Sequence, residues 1–165
     1  MTQVFVAIGS NVDPLARMQQ VARALKLNFP GARFSRVYRN PAFGFVGADF
    51  LNAVVGFDSA LSIAQLLRAL RAIETECGRG PADPKWGPRA IDLDLLLYGE
   101  LVAAGAGYTL PRRDLLQRVY MLGPLAELAP DTLYPPSGPA LRTLWEQLSR
   151  SAHVLSPLEL DLNVA

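Results

Sequence analysis

Two acidic residues stand in an apolar run that is otherwise typical of a buried β-strand. The run is RAIDLDLLLYG, residues 89–99, and the two residues are Asp92 and Asp94. Because successive strand residues point to opposite faces, both carboxylates project from one face, with Cβ atoms about 6.6 Å apart. At that distance, with an effective dielectric constant of 20, two unit charges repel each other by about 2.5 kcal/mol. Mg²⁺ would remove this repulsion, since it binds carboxylates together with substrate phosphates. The same alternation also occurs on half-exposed strands that face solvent, so the pair alone leaves both interpretations open.

Basic side chains flank the acidic pair in the sequence. Arg89 begins the same strand, whereas the other basic residues lie in the segments before and after it: Arg79, Lys85, Arg112, Arg113 and Arg118. Guanidinium groups bind phosphate oxygens through paired hydrogen bonds. A metal ion on the carboxylates would bridge the same oxygens. The combination favours a site for a metal-bound polyphosphate.

The composition excludes several other classes of protein. The chain has 165 residues, 50% of them hydrophobic and 19% charged, and its net charge is +1. These values predict one globular domain, residues 1–165, without the strongly basic surface that binds nucleic acid or anionic membranes. No apolar run reaches the roughly 18 residues of a membrane span, and we find no signal peptide, so we expect a cytoplasmic protein. One cysteine, Cys77, and one histidine, His153, argue against thiol–imidazole catalysis and a zinc site.

The order of predicted elements is β-α-β-β-α-β. We predict strands at residues 3–9, 33–39, 50–57 and within 89–99, and helices from Asp13-Pro14 to Pro30-Gly31 and from a Ser62/Gln65 capping box to Gly78. This order is typical of an α+β, ferredoxin-like fold, with an antiparallel sheet and both helices on one face. A hairpin-like segment at residues 100–111 and helices near 114–128 and 140–149 are added at the C-terminal side.

Four motifs occur in the order of a known family and cover most of residues 3–135: VFVAIGSN, YRNPAFGFVGADFLNAVV, KWGPRAIDLDLLLYG and LPRRDLLQRVYMLGPLAELAPD. In these motifs the chain resembles the 6-hydroxymethyl-7,8-dihydropterin pyrophosphokinases. The resemblance implies a ferredoxin-like enzyme of folate biosynthesis. Such an enzyme transfers pyrophosphate from ATP to the hydroxymethyl group of the pterin, releases AMP and uses two Mg²⁺ ions.

The resemblance also implies roles for individual residues. It assigns both metal ions to Asp92 and Asp94, and it assigns the catalytic set to these two together with Arg79 and Arg89. The residues implied to contact ATP are Arg79, Trp86, Arg89, Leu95, Thr109, Arg112, Arg113 and Arg118. Those implied to form the pterin slot are Asn40, Pro41, Phe43, Phe50, Asn52, Trp86 and Tyr120, with Phe50 and Tyr120 stacking on the pterin. From the residues alone, Phe50 would be a core residue and Asn52 an ordinary polar residue of a strand.

The chain departs from the family pattern at Arg112, where members usually carry histidine. Arginine can bind a phosphate, but it does not titrate near neutral pH. This difference motivates one alternative, a non-catalytic or altered-specificity paralogue that binds pterin or nucleotide. A second alternative, an RNA-binding module on the same fold, conflicts with the acidic strand and the low net charge. The expected partners are therefore a small-molecule pterin and ATP, with no nucleic acid and no membrane, and we expect a monomer.

Overall fold

The computed structural model describes residues 1–42, 46–78, 90–152 and 155–164. The strands are β1 (Thr2–Ser10), β2 (Arg33–Phe34), β3 (Tyr38–Asn40), β4 (Phe50–Ser59), β5 (Asp92–Tyr98), β6 (Ala103–Gly105), β7 (Tyr108–Leu110) and β8 (Ser156–Pro157). The helices are α1 (Pro14–Asn28), α2 (Ile63–Glu76), α3 (Val119–Leu128) and α4 (Leu141–Ser149), and a 3₁₀ turn covers Leu115–Gln117. Within the described residues, no helix is both long and apolar enough to cross a membrane.

The main sheet has the strand order β5-β1-β4-β3-β8, and β2 also pairs with β4. All of these pairings are antiparallel. Strand β1 lies between β5 and β4, and its side chains are buried without interruption from Val4 to Ser10. With α1 after β1 and α2 after β4, this arrangement confirms the predicted ferredoxin-like core.

The single strand predicted over residues 33–39 is wrong, because the structure divides it into β2 and β3. At the break, the backbone N–H of Ser35 donates to the carbonyl of Val54, with 2.9 Å between N and O. The hydroxyl of Ser35 then accepts the N–H of Val54, also at 2.9 Å. A side-chain oxygen thus replaces a main-chain carbonyl in the ladder, and the strand pairing is interrupted.

Both core helices begin where the sequence predicts. Ser62 and Gln65 form the predicted capping box, with N···O distances of 3.2 Å and 2.9 Å. Asp13 precedes Pro14 at the start of α1, but its backbone is left-handed, with φ of 50°, and its side chain forms no cap hydrogen bond. The start of α1 therefore depends on the proline, whose φ suits the first helical turn.

Apolar side chains cover both faces of the sheet. On one face, α1 and α2 pack on a cluster we call the first core, which includes Ile8, Leu25, Leu66, Leu70 and Leu93. On the other face, α3, the 3₁₀ turn and α4 pack on the second core, which includes Phe5, Ala7, Val54, Leu96, Leu122, Leu125 and Leu141. The added C-terminal elements thus bury the face that the two core helices leave open.

We expect Ser35→Ala to destabilise the protein by about 1–3 kcal/mol, because the buried N–H of Val54 then loses its acceptor. The free energy of unfolding in urea measures this change. Ser151→Ala removes an exposed hydroxyl and should change the stability by less than about 0.5 kcal/mol. Equal stability of the two variants would contradict the role given to Ser35.

Candidate functional site

The two aspartates of β5 project from the face of the sheet that carries the second core. Asp94 lies opposite Ala7 of β1, and Ala7 lies opposite Val54 of β4. Ala7 and Val54 belong to the second core. Cross-strand partners share a face, and so do residues two apart on one strand. Asp92 and Asp94 therefore lie on the side of α3, and both are half-buried.

Asp92 begins a row of residues that runs across the sheet at one end of this face. Its cross-strand partner is Gly9 of β1, whose partner on β4 is Asn52. Asn52 in turn lies opposite Tyr38 of β3. Neighbouring strands are about 4.8 Å apart, so the main chains that carry the carboxylate and the amide are about 9.6 Å apart. The row thus places an acidic group and an amide on one face, with the space above Gly9 between them.

Gly9 keeps the middle of this row open. A Cβ atom at position 9 would lie 3.1 Å from Nδ2 of Asn52 and 3.7 Å from Cδ1 of Phe50. The glycine thus lets the amide and the aromatic ring approach the main chain of β1. The next residue, Ser10, is buried and donates its hydroxyl hydrogen to the carbonyl of Ala90, which holds the beginning of β5 against the end of β1.

Asn52 carries a buried polar atom that has no partner in the part of the chain that the structure describes. The residue is 7% exposed, and its Oδ1 forms no hydrogen bond with any described residue. Buried polar atoms in folded proteins almost always have a partner. An amide offers both an acceptor and donors, as recognition of the edge of a heterocycle requires. The unpaired oxygen therefore indicates a ligand-binding position.

Two aromatic rings accompany the amide on the same face. Phe50 is two residues before Asn52 on β4 and is half-buried. Tyr120 of α3 packs against the second core and is also half-buried. Burial raises the pKa of the Tyr120 phenol, Arg118 opposes this change, and the charges of Asp114 and Asp94 add to it. The Tyr120 phenol is thus within the electrostatic influence of Asp94, Asp114 and Arg118.

A chain of alternating charges extends from Asp94. Nη1 of Arg112 lies 3.0 Å from Oδ1 of Asp94, and Nε of Arg112 lies 3.5 Å from Oδ1 of Asp114. Arg118 completes the chain, with its Nε 3.3 Å from Oδ2 of Asp114. Burial lowers the pKa of Arg112, but Asp94 and Asp114 outweigh that effect and raise it, so the guanidinium stays charged.

An irregularity in β5 places Arg112 beside the carboxylate. The register between β1 and β5 shifts between Phe5 and Val6, which leaves Leu96 as an extra residue on β5. The carbonyl of Leu96 accepts the backbone N–H of Arg112, with 3.0 Å between O and N. The segment after β7 is therefore fixed to β5 by its main chain, two residues from Asp94.

Glu74 of α2 is a further site-supporting residue, which the sequence analysis did not identify. Its side chain is buried, and Oε2 accepts the backbone N–H of Leu93 at 2.8 Å. Because β5 is a terminal strand of the sheet, its outward N–H groups need partners outside the sheet. Glu74 thus holds the main chain between the two aspartates. The signal in the sequence was an acid four residues after Leu70, on the apolar stripe of the helix.

The remaining predicted site residues are distributed as follows. Phe43, Arg79, Trp86 and Arg89 lie outside the described residues, so their roles stay predictions. Asn40 is buried opposite Phe50, and its Nδ2 donates to the carbonyl of the exposed Pro41 at 3.1 Å. Thr109 is half-buried on β7, and Arg113 is exposed.

Leu95, a predicted nucleotide contact, has its side chain on the opposite face of the sheet. It is 6% exposed within the first core, so it points away from Asp94. The reason is the alternation of the strand, which sends neighbouring residues to opposite faces. Only the main chain of Leu95 is available to a ligand at the carboxylates.

The donor set fits Mg²⁺ that is shared with a phosphate. In the described ranges, the structure has no group of three or more acidic, histidine or cysteine side chains that would enclose an ion. Two carboxylates on one face, however, are what Mg²⁺ uses when phosphates and water supply its other ligands. Asp92 and Asp94 would hold it, beside the arginines that would bind the phosphates.

We expect Glu74→Ala to destabilise the protein by about 1–3 kcal/mol, because the N–H of Leu93 is then left unpaired at the sheet edge. Glu74→Gln keeps a side-chain oxygen that can accept this hydrogen bond, so we expect it to lose less stability. The free energy of unfolding in urea measures both changes. Glu76→Ala, at an exposed position two residues later, is the matched control and should stay within about 0.5 kcal/mol of wild type. A loss as large in the control would refute a specific role for Glu74.

The sequence is similar to that of several named enzymes. The protein called 2-amino-4-hydroxy-6-hydroxymethyldihydropteridine pyrophosphokinase in Synechocystis is 39% identical over 150 residues, which cover 89% of this chain and 76% of that one. The proteins of the same name in Methylorubrum extorquens and Pseudomonas aeruginosa are each 38% identical. Those matches cover 79% and 81% of this chain and 85% and 84% of the relatives.

The fold is similar to that of solved HPPK-DHPS structures. One, crystallised in complex with substrates, superimposes with a TM-score of 0.67 at 10% identity and covers 91% of this chain. Another, the wild-type protein of Plasmodium falciparum with SDX-DHP, gives a TM-score of 0.64 at 11% identity and covers 89%. This chain spans only 44% and 43% of those two proteins, and at this identity the likeness concerns the fold alone.

The family model for 7,8-dihydro-6-hydroxymethylpterin-pyrophosphokinase matches residues 5–130, about three quarters of the chain. Those residues contain the acidic strand, the row from Asp92 to Asn52 and the arginines of the charge chain. The chain belongs to the 7,8-dihydro-6-hydroxymethylpterin-pyrophosphokinase family.

Proposed function

We propose that this protein transfers the β,γ-pyrophosphoryl group of ATP to the hydroxymethyl oxygen of 6-hydroxymethyl-7,8-dihydropterin, in folate biosynthesis. The observation that carries the proposal is the row in which Asp92, Gly9 and Asn52 share one face of the sheet. This row sets one carboxylate of the acidic pair, suited to metal and phosphate, on the same face as an amide whose Oδ1 has no partner among the described residues and is suited to the pterin. Relatives of more than 30% identity bear the name of this activity.

The pterin would bind over Gly9. Asn52 would hydrogen-bond to its edge through Oδ1, which has no partner among the described residues. Phe50 and Tyr120 would pack against its two faces, since stacked aromatic rings prefer such contacts. Asn40, Pro41 and Phe43 would contribute main-chain groups from the segment after β3. A flat, mostly apolar slot with a few polar groups is typical of small-molecule sites.

The triphosphate would bind along the charge chain. Asp92 and Asp94 would hold Mg²⁺, two ions in the full complex, and Arg112 and Arg118 would contact phosphate oxygens. We extend the nucleotide site to Arg79, Trp86, Arg89, Thr109 and Arg113, and to the main chain of Leu95. When bound, Mg²⁺ neutralises phosphate charge and orients the reacting oxygens.

In the reaction, the pterin hydroxyl oxygen forms a bond to the β-phosphorus of ATP. The bond from that phosphorus to the oxygen of the α-phosphate breaks, AMP leaves with the electron pair, and the hydroxyl proton is released. The residues of the site orient the two substrates in line and compensate the phosphate charge, which are the main contributions to phosphoryl transfer. We assign no side chain as the general base.

The alternative of a non-catalytic or altered-specificity paralogue has no observation in its favour, because both carboxylates and the amide lie in register. We further propose that the enzyme acts as a cytoplasmic monomer with one domain.

We expect Asp94→Asn to lower AMP formation from ATP, Mg²⁺ and the hydroxymethylpterin by at least about 100-fold, because a metal ligand loses its charge. Asp58→Asn changes an exposed carboxylate at the far end of β4 and should stay within about twofold of wild type. No AMP from the wild-type enzyme would refute the activity. A rate in Asp94→Asn equal to that of the control would refute the metal role.

We expect Asn52→Ala to weaken pterin binding by about 5- to 150-fold, which corresponds to the loss of one or two buried hydrogen bonds. Calorimetry with the pterin and a non-reacting ATP analogue measures both affinities, and the affinity for the analogue should be unchanged. Asn28→Ala, at the exposed end of α1, is the control for the loss of an amide. Unchanged pterin affinity in Asn52→Ala would exclude the amide from the pterin slot.

A further inference from the structure

A guanidinium group already lies on one of the two carboxylates assigned to the metal. Nη1 of Arg112 is 3.0 Å from Oδ1 of Asp94, and the two side chains are 36% and 25% exposed. The main chain of Arg112 is fixed to β5 through Leu96, and its Nε also contacts Asp114. The protein thus supplies its own cation to Asp94.

This cation and a divalent ion would compete for Asp94. Mg²⁺ binds carboxylate oxygens at about 2.0–2.1 Å, which would place it within about 5 Å of a guanidinium nitrogen that is 3.0 Å from the same oxygen. A divalent ion and a guanidinium at that distance repel each other strongly, because the site is only partly open to solvent. Binding of metal to Asp94 therefore favours departure of the Arg112 side chain.

The surroundings of Arg112 allow that departure. Its guanidinium has five donors, so it can keep its contact with Asp114 while it exchanges Asp94 for another anion. Arg118 holds Asp114 from the other side, so this anchor stays in place. A phosphate oxygen is a suitable new partner, because guanidinium groups pair with phosphates as they do with carboxylates.

We propose that Arg112 is a positioning residue that occupies Asp94 until the triphosphate binds, so that divalent metal and nucleotide bind with positive coupling. Without nucleotide, the guanidinium on Asp94 keeps the affinity for metal low. When the phosphates attract Arg112, Asp94 becomes available to the ion. This inference rests on the proposed function, since the triphosphate is the new partner of Arg112.

The alternative to a moving side chain is a fixed positive charge. A fixed charge would weaken metal binding by the same factor with and without nucleotide. A side chain that leaves Asp94 would weaken it only when nucleotide is absent. A measurement of metal affinity with and without nucleotide therefore distinguishes a fixed charge from a side chain that moves.

Mn²⁺ provides a direct probe, because the free ion is counted by electron paramagnetic resonance without any turnover. We compare wild type with Arg112→Gln, each alone and with α,β-methylene-ATP, in which the bond to be broken is replaced. Without the analogue, Arg112→Gln should bind Mn²⁺ about fivefold tighter, the effect of one partly exposed ion pair. With the analogue, the two proteins should differ by less than about twofold. Arg150→Gln removes an exposed arginine after α4 and should match wild type throughout.

Arg112→Lys is a second variant, in case Arg112→Gln does not fold. Lysine cannot contact Asp94 and Asp114 at the same time as the planar guanidinium does. We therefore expect Arg112→Lys to bind Mn²⁺ about twofold tighter than wild type without the analogue. Equal Mn²⁺ affinity of wild type and the Arg112 variants without the analogue would overturn the inference. If the variants still bind Mn²⁺ more tightly than wild type when the analogue is present, the inference would also be overturned, because Arg112 would then act as a fixed charge. Both of these results leave the proposed function intact, whereas no Mn²⁺ binding even with the analogue would refute the metal site itself and the inference with it.

Discussion

The register of β1 between β5 and β4 is the constraint on which the site depends. A slip of one residue would send Asp92 and Asp94 into the first core, because side chains alternate between faces. The register is well determined, since β1 buries both of its faces: Ile8 lies in the first core, and Phe5 and Ala7 lie in the second. The apolar residues of β1 therefore set the register that places the site residues.

The acidic pair lies at one end of a series of ion pairs, which is the second constraint on the site. The acidic pair would repel without a counter-charge, and Arg112 supplies one by contacting Asp94. Asp114 and Arg118 extend the alternation, so each charge in the chain has a neighbour of opposite sign. Such an arrangement compensates the charges of Asp94 and Asp114 within the protein. Under the proposed metal role, an ion that binds Asp94 would have to displace Arg112, whose charge is permanent.

The C-terminal elements complete the site as well as the fold. Helices α3 and α4 cover the second face of the sheet, and the side chains of Phe5 and Leu96 lie beneath them. Tyr120 of α3 packs against the same second core. The burial of the second face thus depends on both helices, and α3 also carries one of the two aromatic residues that we assign to the pterin.

The sequence by itself determined the βαββαβ order, the capping box of α2 and the common face of the acidic pair, because periodicity and capping are local properties. It also indicated the family through four ordered motifs. Only the tertiary structure decided the break at Ser35, the bond from Glu74 to Leu93 and the ion pair of Arg112 with Asp94. Each of these joins residues 18 or 19 positions apart. Such contacts depend on strand register and helix docking, which local patterns do not specify.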